Sequence, residues 1–143
     1  MKMELYMQLE GWFLMNKKLK NYISVSLFAF FGGALRAYLN VIWSQAGTFV
    51  ANIIGCFLLA FLTYFFIEFR EGRDWLVTGL STGFVGAFTT FSSFHLDTFK
   101  QLENGMNNQA LIYFFSSIFI GFLFAYLGMI TGKILGRKLA IRA

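Results

Sequence analysis

Apolar residues fall into four long runs along this chain, each ending where polar or charged residues cluster. The runs cover 22–43, 48–69, 75–99 and 109–132. The interruptions are Ser44–Gly47, "REGRD" (70–74) and "KQLENGMNNQ" (100–109). A helix needs about 20 residues to cross the hydrocarbon core of a bilayer. The pattern therefore predicts an all-α integral membrane protein of four transmembrane helices, with both termini on one side. A basic segment, 1–21, precedes the first run, and its Leu5, Leu9, Trp12 and Phe13 recur at helical spacing, as in a helix lying along a membrane surface. Met15 serves equally as a start, since "MNKKLKNYI" reads as a short basic leader to the first span. Neither reading includes a cleavable signal peptide, because no small-residue cleavage pattern is present. Three parts result: the basic segment 1–21, a four-helix membrane domain over 22–133, and a basic tail over 134–143.

Composition agrees. The 143 residues are 57% hydrophobic, 20% aromatic and only 13% charged, against about 25% charged in soluble domains. A water-soluble core of this size cannot hide so much apolar surface. The net charge of +5 sits at the chain ends and between runs, not along one face as a nucleic-acid surface requires, so no nucleic-acid partner is expected. Cys56 has no disulfide partner, and His95 has no companion for a zinc or haem site. No nucleophile–base pair or metal cluster suggests an enzyme. Of the twelve Lys and Arg, ten fall on the terminal side of the predicted topology, Lys100 alone on the other, and Arg36 within the first span. The positive-inside rule then places both termini in the cytoplasm and the protein in the plasma membrane.

Polar residues inside spans need a reason, because a bilayer penalises unsatisfied polar groups. Arg36 either snorkels to the nearer surface or attracts anions to the mouth of a pathway. Asn52 either clamps two helices or offers amide donors to an anion. Gly79 with Gly83, and Gly128 with Gly132, are small-xxx-small pairs for close helix packing. The stretch "GFVGAFTTFSSF" (83–94) differs: Gly86 weakens a helix, and the hydroxyls of Thr89 and Thr90 can satisfy freed backbone groups. A helix broken near its middle can expose carbonyls to a cation. Phe91 and Phe94 share a helical face, where they either pack or present positive ring edges to an anion. Tyr113, Ser117 and Gly121 follow at intervals of four along the fourth span, as a polar track or as hydroxyls bonded back to their own helix.

Three stretches together, "GGALRAY" (32–38), "GTFVANIIGCFLLA" (47–60) and "STGFVGAFTTFSSF" (81–94), resemble the Fluc (CrcB) family of fluoride channels over residues 16–133. The resemblance implies passive fluoride export that lowers cytoplasmic fluoride, through an antiparallel dimer with two pores and a structural sodium ion at its centre. It implies that the backbone carbonyls of Gly86 and Thr89 hold the sodium. It places Asn52, Thr90, Phe91, Phe94, Tyr113 and Ser117 on the fluoride pathway, with Arg36 at its vestibule. Gly121 stands where many relatives have Ser, Asp97 where a Glu is usual, and Ser93 where Thr is usual. The ten-to-one charge bias implies one fixed orientation. The expected partner is thus an oppositely oriented paralogue, with a homodimer as the alternative.

Two other classes compete. A small four-helix multidrug-type exporter needs a carboxylate deep in the membrane, whereas Glu68 and Asp97 lie near span ends. A non-transporting assembly protein has no need of Asn52, a broken third span and the Phe pair at once.

Overall fold

A computed structural model describes residues 2–69 and 74–142, with residues 2–13 by backbone alone. Among the described residues the elements are all helical: α1 (Lys2–Trp43), α2 (Gln45–Phe69), α3 (Asp74–Thr78), a π-helical segment (Gly79–Val85), α4 (Gly86–Phe88), α5 (Phe91–Glu103) and α6 (Asn107–Ala140). Three stretches are long and apolar enough to cross a membrane: Leu14–Trp43, Gln45–Phe69 and Asn107–Ala140. They contain the first, second and fourth predicted spans. The third predicted span, 75–99, is a series of short pieces rather than one helix.

The turns are tighter than the polar interruptions suggest. Ser44 alone reverses the chain between α1 and α2, at φ 47°, a left-handed backbone that non-glycine residues seldom adopt. Its carbonyl accepts from the Gly47 N–H at 3.0 Å, so Gln45 already belongs to the next helix. The predicted loop 100–109 shrinks to 104–106, where Gly105 takes φ 73°. Most of the predicted "REGRD" break, 70–73, lies outside the described residues. The segment 1–21 is collinear with the first span, because α1 runs unbroken from Lys2. At about 1.5 Å per residue, its 42 residues span about twice a hydrocarbon core of ~30 Å. Likewise α6 continues past residue 132 to Ala140 and carries the basic tail with it.

The α2–α6 pair is the main packing interface, and glycine explains it. Gly128, Gly132 and Gly136 form a stripe at intervals of four on α6. A Cβ at these positions would lie 2.3 Å from the Phe57 carbonyl oxygen, 2.5 Å from that of Phe61 and 2.7 Å from that of Phe65. Only hydrogen fits at such a backbone-to-backbone approach. On α2 the rings of Phe57, Phe61, Phe65 and Phe69 stack in sequence, with centroids 6.0, 5.7 and 5.5 Å apart. Gly79 and Gly83 do the same for the π-helical segment against α1, where a Cβ on Gly83 would sit 2.6 Å from the Val25 carbonyl oxygen. The expected packing role of all four paired glycines is therefore observed. Because the obstacle is backbone, Gly132→Val should destabilise the subunit toward the upper end of the usual overpacking cost, about 1–3 kcal/mol. Thermal unfolding in detergent measures this, and an unchanged midpoint would contradict the packing described.

Little of this surface is buried within one subunit. Only 6%, 17% and 11% of the apolar windows of the three long spans are covered, so these helices face lipid or another protein. The small core comprises Ala51, Ile53, Val85, Phe88, Phe94 and Ala110, with Ser24, Thr48 and Thr90 as its polar members.

Candidate functional site: a clamped helix break

The polar members of that core lead to the break. Helix α4 ends at Phe88, and Thr89 (φ −85°, ψ 157°) and Thr90 (φ −151°, ψ 119°) are extended before α5 begins at Phe91. The break thus falls three residues beyond Gly86, which is itself helical. Thr89 closes the old helix: its N–H and its hydroxyl both donate to the Val85 carbonyl, each at 3.0 Å. Thr90 starts the new one: its Oγ1 accepts from the Ser93 N–H at 3.2 Å and bonds the Ser93 and Ser92 hydroxyls at 3.1 and 3.2 Å. A side-chain oxygen at this position satisfies an orphan donor of the first turn.

Asn52, from the second turn of α2, holds the break open. Its Oδ1 accepts from the Thr90 N–H at 2.8 Å, and its Nδ2 donates to the Thr90 carbonyl at 2.9 Å. In an unbroken helix that Thr90 N–H would close onto the Gly86 carbonyl; the diversion to Asn52 leaves Gly86 without its helical donor. Gly55, one turn on from Asn52, makes room, since a Cβ there would lie 2.0 Å from Thr89 Cγ2. From the other side half-buried Arg36 on α1 reaches the Thr89 carbonyl, Nη1 to O 3.5 Å. Two other helices, α1 and α2, therefore converge on two residues. Both sequence readings of Asn52 remain physically open, because an amide has two N–H groups and Thr90 uses one.

A cavity of about 400 Å³ opens beside the break. Asn52, Gly86, Thr89, Thr90, Phe91, Phe94 and Ser117 all line it, so seven of the nine expected site residues meet in one place. Phe91 is 75% exposed and Phe94 only 8%, with ring centroids 6.3 Å apart. Phe94 is backed by Tyr113 and Phe114 at 5.4 and 5.5 Å. Ser117 faces the cavity, but its hydroxyl proton is committed to the Tyr113 carbonyl at 2.7 Å. In that rotamer it accepts and does not donate.

The remaining two lie apart from the cavity. Arg36 approaches the break from the α1 side, and Tyr113 stands behind Phe94 with its hydroxyl buried beside the Asp97 carboxyl group. Gly121 lies against Cys56, whose sulfur would be 3.4 Å from an added Cβ. Sequence reasoning gave Gly55 no role in clearing the break and Ser93 no role in capping α5. A glycine one turn from an intramembrane Asn was the available signal for Gly55, and the T-x-x-S spacing for Ser93.

A clamped, carbonyl-exposing helix break next to an aromatic-lined cavity is an arrangement suited to an ion path through a helical membrane protein. The chain belongs to the CrcB-like family: the family model described as "CrcB-like protein, Camphor Resistance (CrcB)" matches residues 23–129. It is 81% identical over 129 residues to "Fluoride-specific ion channel FluC 1" of Lactobacillus johnsonii, covering 90% of this chain and 100% of that protein. It is 56% identical over 123 residues to the FluC 1 of Lactobacillus delbrueckii subsp. bulgaricus (86% and 96% covered). It is 48% identical over 122 residues to "Fluoride-specific ion channel FluC 2" of Ligilactobacillus salivarius (85% and 92% covered). The resemblance read from the three motifs is borne out.

Proposed function

We propose that this chain is a subunit of a fluoride-selective channel that lets fluoride leave the cytoplasm passively. The observation that carries this reading is the convergence of Asn52, Thr90, Phe91 and Phe94 on one cavity at the break. Fluoride is small and strongly hydrated, so a pore must replace its water with donors and still release it. The second amide hydrogen of Asn52 and the positive ring edges of Phe91 and Phe94 supply contacts without a fixed cation in the narrow part. The relatives named as fluoride-specific ion channels support the choice of ion.

The channel is read as an antiparallel dimer. The break faces outward: nothing lies within 4 Å of a Cβ built on Gly86, and Phe91 is largely exposed. A second subunit covering that face would bury both. The Gly86 carbonyl has no helical donor, and the Thr89 carbonyl has only the long Arg36 contact. Both suit a structural sodium ion; two oxygens are too few to replace its water, so the second copy would provide the rest. A bound sodium would supply fixed positive charge at the centre of the assembly. In this reading the series α3 to α5 is the third of four crossings, both termini are cytoplasmic and the protein sits in the plasma membrane.

The ten-to-one Lys/Arg bias favours an oppositely oriented paralogue as partner over a second copy of this chain. Relatives named both FluC 1 and FluC 2 fit such pairs. A bacterium stripped of its own fluoride channels tests the reading in cells. The chain plus a paralogue of opposite charge bias should restore growth in fluoride, and a C-terminal reporter on this chain should be active on the cytoplasmic side only. Reporter activity on both sides would overturn the fixed orientation, and failed rescue by the pair would overturn the function.

A further inference from the structure

At the end of the bundle where α2 closes and α3 begins, two cavities join along one face of α1. The first, about 500 Å³, is polar and basic, lined by Asn16, Lys17, Lys20, Asn21, Asp74 and Trp75. The second, about 370 Å³, shares Asn16, Lys20 and Trp75 and continues along α1 past Leu19, Ile23, Leu27 and Phe28. Leu19, Ile23 and Leu27 recur at intervals of four and are 56%, 61% and 58% exposed. A polar pocket thus runs directly into an apolar groove, and Lys20 and Trp75 stand at the junction. Lys and Trp are enriched at this depth of a membrane.

The polar pocket has unmet chemistry. Lys17 is paired with Asp74, whereas Lys20 has no carboxylate partner among the described residues and lies over the Trp75 ring, 5.4 Å from its centroid. Trp75 is held in place through its carbonyl, which accepts from Ser24 Oγ at 2.6 Å. Its indole Nε1 is buried with no acceptor, and a buried donor left unpaired is costly. The junction therefore offers one uncompensated positive charge beside an indole ring, with an acyl-sized apolar groove leading away from them.

We infer that this groove binds a phospholipid with an anionic headgroup, its phosphate at Lys20 Nζ beside the Trp75 ring and an acyl chain along Leu19, Ile23, Leu27 and Phe28. A free phosphate has no use for the apolar half, and an uncharged lipid has none for Lys20. The site is separate from the helix break, and occupancy does not require fluoride flux.

The test isolates Trp75, one of three tryptophans. A Trp12→Phe, Trp43→Phe variant is placed in phosphatidylcholine vesicles containing a few mole per cent of phosphatidylglycerol or phosphatidylcholine brominated on its acyl chains. Brominated phosphatidylglycerol should quench Trp75 with an apparent affinity about fivefold above brominated phosphatidylcholine, the size expected for one lysine at an anionic surface. Lys20→Gln should erase the preference, while Lys138→Gln on exposed α6 surface and millimolar inorganic phosphate should leave it intact. Equal quenching by the two lipids overturns the proposal. Equal losses from Lys20→Gln and Lys138→Gln show diffuse surface charge in place of a site. Displacement by inorganic phosphate shows a free-anion site. Should the double Phe variant fail to fold, native mass spectrometry of the unaltered chain against Lys20→Gln replaces it: the proposal requires phosphatidylglycerol adducts on the former that are lost from the latter.

Discussion

Replacing Asn52 should abolish fluoride flux, and the two natural substitutions should fail differently. Asn52→Ala removes both partners of Thr90, leaving its N–H and carbonyl unsatisfied where Asn52 now bonds them at 2.8 and 2.9 Å. Each lost partner in a part-buried site costs about 1–3 kcal/mol. The break then has no reason to stay open, and the Thr90 N–H can return to Gly86. At about 1.4 kcal/mol per tenfold, the loss of both bonds puts the fall in flux at about 100-fold or more. Asn52→Asp still accepts from the Thr90 N–H, so its melting temperature should fall less than that of Asn52→Ala. It loses the donor, however, and adds negative charge beside an anion path, so its flux should be as low. Paired melting and efflux measurements separate the clamp from the donor. Flux retained in Asn52→Asp would show that the amide hydrogens play no part in conduction.

The second large effect is at Phe91, where conduction and packing can be told apart. With 75% of its surface exposed in the subunit, Phe91 contributes little to subunit folding, and substitutions at such positions usually change stability by less than about 0.5 kcal/mol. Phe91→Ile keeps an apolar side chain and removes the ring, and with it the quadrupole whose edge faces an anion. Efflux should drop by about tenfold or more, one such contact of about 1.4 kcal/mol being lost from the path, while subunit unfolding is almost unchanged. Phe94→Ile makes the contrast. Phe94 is 8% exposed and packs on Tyr113 and Phe114, so its replacement should lower both stability and flux. Full fluoride flux in Phe91→Ile would remove the ring edge from the account.

Much of this architecture was legible because membrane spans announce themselves by apolar length. α2 begins and ends close to its run, α6 begins close to its own, and α1 ends at Trp43 as the hydropathy pattern predicts. Hydropathy is blind to how chains turn, and so a four-residue polar interruption concealed a one-residue reversal at Ser44. It is equally blind to the π-helical segment Gly79–Val85, which packs against α1 and whose wider turns carry no compositional mark. The presence of a break in 83–94 followed from Gly, Thr and Ser in an apolar run. Its position did not, because Thr89 and Thr90 are selected by Asn52, 38 residues earlier in the chain, and by the clearance at Gly55. The motifs and the fourth-span spacing together picked out nine residues, of which seven line a single cavity. They could not show that the Ser117 proton is turned to its own helix, since a rotamer is decided by local geometry and not by spacing.

Fluoride efflux from liposomes, with chloride efflux followed in parallel, tests the central claim most directly. Reconstituted with an oppositely oriented paralogue, the purified chain should release fluoride rapidly and hold chloride back, and the chain alone should be silent. Chloride released as fast as fluoride, or no fluoride release from the pair, would contradict the assignment of a fluoride-selective channel.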